Sequence, residues 1–214
     1  MQNKVKGVVL KTMDLKEKDR IMWLFTEELG RISVACKGLK SPKSRYQSLV
    51  MPLVYGDFVL FKGKSMYSLN EGSIITSFSG LREDLFLLTY GTYFTELVDI
   101  VSVDNEPNPR LFRELVTALY LLESQALDSE LLARAFEIKV ILASGLPVSP
   151  ENTPYGLAPG AQKAVEFLGK TELSKIGILS VNERDRKEIR ELTEYLLAES
   201  YTRRPKSLDM LKFL

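Results

Sequence analysis

Two hydrophobic periodicities divide the chain. Through residue 80, apolar positions come in short β-branched or alternating runs. From Leu81 they return every three or four residues. Val5–Thr12 is a β-branched run interrupted by Gly7, and Ile21–Thr26 is an apolar run of strand length. After the turn Glu28-Leu29-Gly30, Arg31–Cys36 alternates with period two. The polar stretch 37–47, with Gly38 and Pro42, predicts a long loop. Asp57–Phe61 predicts a strand, and Lys62-Gly63-Lys64-Ser65 a hairpin turn into Met66–Leu69. Ser73–Phe78 either continues that strand or adds another. About five short strands joined by tight turns predict a small closed barrel, of OB or SH3-like type.

The helical half is punctuated. Leu81, Leu85, Leu88, Tyr93, Leu97 and Ile100 fall on helix faces through Val101. Asn108-Pro109 supplies an N-cap followed by Pro at the first helical position, ahead of the stripe Leu111, Leu115, Leu119, Leu122. Asp128 caps a third helix with Leu131, Ala135, Ile138 and Leu142 on one face, ending at Gly145. Stretch 146–160 holds Pro147, Pro150, Pro154 and Pro159 and predicts an irregular connection. Helices resume over Ala161–Leu168 and Asn182–Ser200, and Ser207 caps a short last one.

Composition narrows the function classes. Of 214 residues, 45% are apolar and 27% charged, a globular balance that excludes a disordered chain. No apolar run is long enough to span a bilayer, and the first residues lack a signal-peptide core, so a cytoplasmic protein is expected. Histidine is absent and Cys36 is the only cysteine. Ser-His and Cys-His catalysis, His-ligated metals, Cys-cluster zinc and an intramolecular disulfide are thereby excluded. The expectation is a binding protein with no cofactor and no metal, not an enzyme.

Net charge is +1 overall, but residues 1–80 carry 13 Lys+Arg against 7 Asp+Glu, so the excess is confined to the barrel half. Such asymmetry points to a polyanion-binding module. Its densest part is Lys37-Gly-Leu-Lys40-Ser-Pro-Lys43-Ser-Arg45, four cations without an acid. Lys and Arg gain by displacing counterions from phosphates, and Ser hydroxyls and loop N–H groups can donate to phosphate oxygens. The bland alternative is a solvated loop. Lys4, Lys6, Lys11, Arg31, Lys62 and Lys64 lie on the same basic half. Tyr46 and Tyr67 are the aromatic candidates for stacking on bases, whereas Trp23 and Phe25 read as core. Lys62-Gly63-Lys64-Ser65 is no P-loop, because Phe58 stands where its first glycine belongs. In the helical half Arg134, beside an apolar face, either pairs with a nearby acid or binds a carboxylate in a partner's tail.

The order of several stretches resembles the RecO family of bacterial DNA-repair proteins. These are Glu17-Lys-Asp-Arg-Ile, Leu24-Phe-Thr-Glu-Glu-Leu-Gly-Arg-Ile-Ser, Ala35-Cys-Lys-Gly-Leu-Lys-Ser-Pro-Lys-Ser-Arg and Gly80-Leu-Arg-Glu-Asp-Leu. Tyr93-Phe-Thr-Glu-Leu-Val-Asp, Leu132-Ala-Arg-Ala-Phe-Glu and Arg204-Pro-Lys-Ser-Leu follow. The resemblance implies an α+β chain, with an N-terminal all-β OB-fold barrel over residues 1–80 and an all-α helical domain over 81–214. It implies binding of single- and double-stranded DNA, annealing of complementary strands, and work with RecR, and in many bacteria RecF, to place RecA on DNA coated by single-stranded DNA-binding protein (SSB). It carries DNA contact onto Lys37, Lys40, Lys43 and Arg45, with Lys4, Lys11, Arg31, Lys62, Lys64 and Tyr46 as further candidates. Arg134, with Lys139 on the same helix, is the candidate for the acidic C-terminal tail of SSB. Many members carry a four-cysteine zinc module where this chain has the cysteine-free stretch 146–160. The rival reading of the residues is an RNA-binding OB adaptor, which would require the ribose 2′-OH.

Overall fold

The computed structural model describes residues 2–15, 19–39, 46–149, 156–201 and 203–211. Five strands, β1 (Gln2–Asp14), β2 (Arg20–Thr26), β3 (Gly30–Cys36), β4 (Tyr55–Lys62) and β5 (Tyr67–Thr76), close into a barrel in the order β1-β2-β3-β5-β4. All neighbours are antiparallel except β3 and β5, which pair in parallel through Val34↔Tyr67 and Ala35↔Ser68. This is the OB topology, and it decides between the two barrels the sequence pattern left open. β1 is long because it serves two neighbours. Its first half pairs with β4, its second with β2, and an irregularity between Val9 and Lys11 bends it between them. Tyr67–Thr76 forms one strand, so Ser73–Phe78 continues β5 as far as Thr76 rather than adding another.

Alternation sorts the barrel residues. Val5, Val9, Met22, Leu24, Ile32 and Phe58 fill its interior. A second apolar cluster begins on the barrel, with Val8, Leu10, Phe25, Leu53 and Phe78, and runs without interruption into the helices. Phe25 lies 6.0 Å from Phe112, ring centre to ring centre.

Among the described residues the helices are α1 (Ser79–Glu83), α2 (Leu85–Val101), α3 (Pro109–Ser124), α4 (Ser129–Ala143), α5 (Pro159–Lys170), α6 (Glu183–Ser200) and α7 (Ser207–Leu211). The side chains of Asp84, Asn108, Asp128 and Asn182 accept from the first free N–H groups of α2, α3, α4 and α6. The continuous stripe expected from Leu81 to Val101 is broken at Asp84, whose extended backbone and capping carboxylate start a new helix. Leu85 is exposed as a result. α5 begins two residues before the expected Ala161, with Pro159 in its first turn. A 3₁₀ turn at Leu173–Ile178 is too short for a periodic signal and was not expected.

α4 is the hub. It packs against α2, α3, α5 and α6, and every residue from Leu131 to Ile141 is buried. No helix among the described residues is long and apolar enough to cross a membrane.

Candidate nucleic-acid interface

Pairing register places the exposed cations on two connections that flank β3. Arg20 opposes Cys36, so the β1–β2 connection lies beside the chain leaving β3. The Gly38 N–H donates to Asp19 Oδ1 at 2.9 Å and ties the two together. Ser68 pairs with Ala35 on one side and Phe61 on the other, so the β4–β5 hairpin, which precedes Tyr67, flanks β3 on the side away from β2 and points back towards its Gly30 end. That hairpin is closed by the Gly63 N–H donating to the Met66 carbonyl at 3.0 Å. Lys37 is exposed beyond the end of β3, and Lys62 and Lys64 are exposed at the hairpin. Lys4 is exposed on the adjoining β1–β4 wall, opposite Val59 and two residues from the exposed Phe61. Lys40, Lys43 and Arg45 lie outside the described residues.

Two expected DNA contacts are placed elsewhere. Lys11 Nζ donates to Asp99 Oδ2 at 2.6 Å and sits 4.8 Å above the centre of the Trp23 ring. Arg31 Nη1 donates to Asp99 Oδ1 at 3.0 Å and to the Asp99 carbonyl, while its Nε donates to Asp104 Oδ1 at 2.7 Å. Arg203 Nη2 adds a third cation at 2.6 Å from Asp99 Oδ2. Burial alone would raise the Asp99 carboxyl, but Lys11, Arg203 and Arg31 hold it below the usual carboxylate range. Both lysine and arginine are therefore committed to joining barrel and helices. Gly30 belongs to the same junction: its φ of +68° suits glycine, and a Cβ there would overlap the Glu106 backbone. The Asn105 N–H donates to the Arg31 carbonyl at 2.9 Å alongside it.

The tail site expected at Arg134 is corrected by burial. Arg134 is only 7% exposed and pairs with Glu137 Oε2 at 3.0 Å inside the helical core. Glu137 is fully buried and also accepts from the Tyr93 hydroxyl at 2.5 Å. Burial raises the Glu137 carboxyl, opposed by Arg134 and by hydrogen bonds from Thr193 and Tyr93. Arg134 is thus the ion-pair partner of a buried acid, not the rim of a groove. The predicted groove fails because every residue of α4 from Leu131 to Ile141 is buried. Lys139 is 3% exposed and donates to the carbonyls of Gly169 and Thr171 at 3.0 and 2.6 Å. It caps the C-terminal end of α5, and burial lowers its pKa.

The aromatics also sort. Tyr67, expected to be exposed, is 7% exposed, since the first residue of β5 faces the barrel core. Tyr46 is partly buried against that core beside the basic loop, and Trp23 is half-buried beneath Lys11. Cys36 is buried, and desolvation pushes its thiol up to about 12. Arg203 was not singled out by sequence; its one signal was its place beside the stretch Arg204–Leu208.

Comparison with known proteins agrees with this architecture. The sequence pattern of the family described as Recombination protein O N terminal matches residues 1–78, and that of Recombination protein O C terminal matches residues 82–152. The chain is similar to the DNA repair protein RecO of Clostridium perfringens, with 38% identity over 97% of this chain and 96% of the relative. Against the RecO protein of Clostridium acetobutylicum it is 35% identical over 99% and 97% of the two chains. Both alignments, of 237 and 240 positions, exceed the length of this chain, so the relatives carry residues that have no counterpart here. With both halves matched and near-complete coverage by these relatives, the chain belongs to the RecO family.

Proposed function

We propose that the protein is a DNA-repair and recombination mediator that performs no covalent chemistry. It binds single- and double-stranded DNA, anneals complementary strands, and with RecR helps load RecA onto SSB-coated DNA. It works at the nucleoid, in the cytoplasm. What supports this reading is the exposure of Lys37, Lys62 and Lys64 on the two connections that flank β3, on an OB barrel, in a chain of the RecO family. Exposed cations on two connections flanking one strand can each neutralise a phosphate. Neutralising two backbones on one surface lowers the repulsion that slows their pairing. Acids on the helical half keep this surface confined to the barrel.

Annealing of complementary oligonucleotides coated with SSB tests the reading. The protein is expected to accelerate duplex formation, and Lys37→Ala/Lys62→Ala/Lys64→Ala to slow it. Failure of the wild-type protein to anneal either bare or coated strands would overturn the proposal. A strict requirement for ribose 2′-OH would place the protein with RNA instead.

A further inference from the structure

Between α6 and α7 the residues Arg203-Arg204-Pro205-Lys206 carry three cations and no acid, on the half of the chain where acids outnumber bases. All three cations are exposed. The segment crosses the domain junction with open space on both flanks. A cleft of about 620 Å³ between the barrel and α2 lies on one side, and a cavity of about 400 Å³ between α2 and α6 on the other. Arg203, Arg204 and Pro205 line both. The far end of this strap is pinned, because Glu96 accepts from the N–H and hydroxyl of Ser207 at 2.8 and 2.5 Å. Its near end is held through Arg203, at 2.6 Å from Asp99 Oδ2.

Asp99 is neutralised without Arg203. Arg31 takes Oδ1 and the Asp99 carbonyl. Lys11 takes Oδ2 and has a second anchor over the Trp23 ring. Arg203 shares Oδ2 with Lys11 at the same 2.6 Å, which brings an ammonium and a guanidinium close enough to repel. Arg203 also has the most exposed side chain of the three, at 56% against 41% for Lys11 and 18% for Arg31. It is the surplus cation.

We propose that the Arg203–Lys206 strap is a second contact for a nucleic-acid backbone, and that Asp99 holds it in check by standing in for a phosphate. A phosphate competes with the Asp99 carboxylate for Arg203, and binding of a strand draws the strap off the junction. Carboxylate and phosphate oxygens accept the same charge-assisted hydrogen bonds from a guanidinium. The exchange costs little, because a screened pair is weak and Lys11 and Arg31 stay on Asp99, so no buried charge is left unpaired. The strap contains no aromatic ring, so it contacts backbone rather than bases and serves single strands and duplex alike. The inference rests on the DNA reading above, and adds to it a contact on the helical half and the acid that regulates it.

The test is fluorescence anisotropy with a labelled duplex oligonucleotide over a range of salt concentrations. Arg203→Ala/Arg204→Ala/Lys206→Ala removes exposed side chains and leaves Lys11 and Arg31 on Asp99. It is expected to flatten the log–log salt slope by about 2–3. Asp99→Asn is expected to tighten binding by about two- to fivefold, the equivalent of one screened pair that no longer has to break. That gain should vanish in the Arg203→Ala background, since the competition acts through Arg203. A folded triple variant with the wild-type slope overturns the inference, while the barrel cations are judged by their own variants. An equal gain from Asp99→Asn with and without Arg203 also overturns it, because the acid would then act only through its general field. If Asp99→Asn does not fold, Arg203→Ala alone decides: a slope shallower by about 0.9 supports the exchange, and the wild-type slope refutes it. Wild-type protein that binds no DNA overturns this inference and the proposed function together.

Discussion

Replacing Asp99 by Asn removes one negative charge from the junction and changes almost no volume. The carboxylate meets Lys11 and Arg203 at 2.6 Å and Arg31 at 3.0 Å. Lys11 and Arg203 have side chains 41% and 56% exposed, so solvent screens them and each contact is worth roughly 0.5–1 kcal/mol. Arg31 is 18% exposed and meets a nearly buried carboxylate, which puts its bond at about 1.5–3 kcal/mol. Asn retains one acceptor and recovers part of the Arg31 term. The net expected loss is about 2–3 kcal/mol, or a melting temperature lower by roughly 4–12 °C for a chain of this size. The pH dependence has a definite sign. Because the folded carboxyl is held below its unfolded value, its stabilisation is complete above about pH 4 and is lost as pH falls through the lower folded pKa. Asp99→Asn lacks this contribution, so the gap between wild type and variant should narrow on acidification below about pH 4. Thermal denaturation followed by circular dichroism at pH 7 and at pH 3 measures both. Melting temperatures within about a degree of each other at pH 7 would refute the reasoning.

Arg134→Ala should destabilise the chain by about 3–5 kcal/mol, because it strands the fully buried Glu137. Arg134→Met/Glu137→Leu should cost less than either single change, and denaturant midpoints of the three variants check the ordering. Gly30→Ala should lower stability by about 2 kcal/mol or more, through both the left-handed backbone and the overlap with Glu106; urea titration measures it. Cys36 should resist a thiol reagent in the native state and react fully once unfolded, since its thiol is buried and raised to about 12. Rapid native labelling would show that the end of β3 opens.

The barrel was legible because period-two alternation and turn residues are local signals. Its type was not, because the Val34↔Tyr67 pairing that makes it an OB barrel joins residues with no common local pattern. Helix starts at Asn108 and Asp128 were legible from their caps. Arg134 was misread by treating one stripe of α4 as its buried face. Leu132, Ala133, Phe136, Val140 and Ile141 lie off that stripe and are buried too, and an all-round apolar helix signals a core position. Lys11 and Arg31 counted towards the basic half in sequence, and nothing local showed that Asp99 would face both. The stretches that carried family resemblance supply much of that junction, through Arg31, Arg82, Glu96, Asp99 and Ser207.

The central claim is that exposed cations on the connections flanking β3 hold DNA backbones. Its most direct test is the salt dependence of single-stranded DNA affinity, plotted as log K against log salt concentration. Each neutralised phosphate contributes a slope of about −0.7 on a single strand. Lys37→Ala/Lys62→Ala/Lys64→Ala removes three exposed cations without touching the barrel core. The account predicts a slope shallower by about 2, with affinity falling uniformly across sequences. A folded triple variant with the wild-type slope would contradict it.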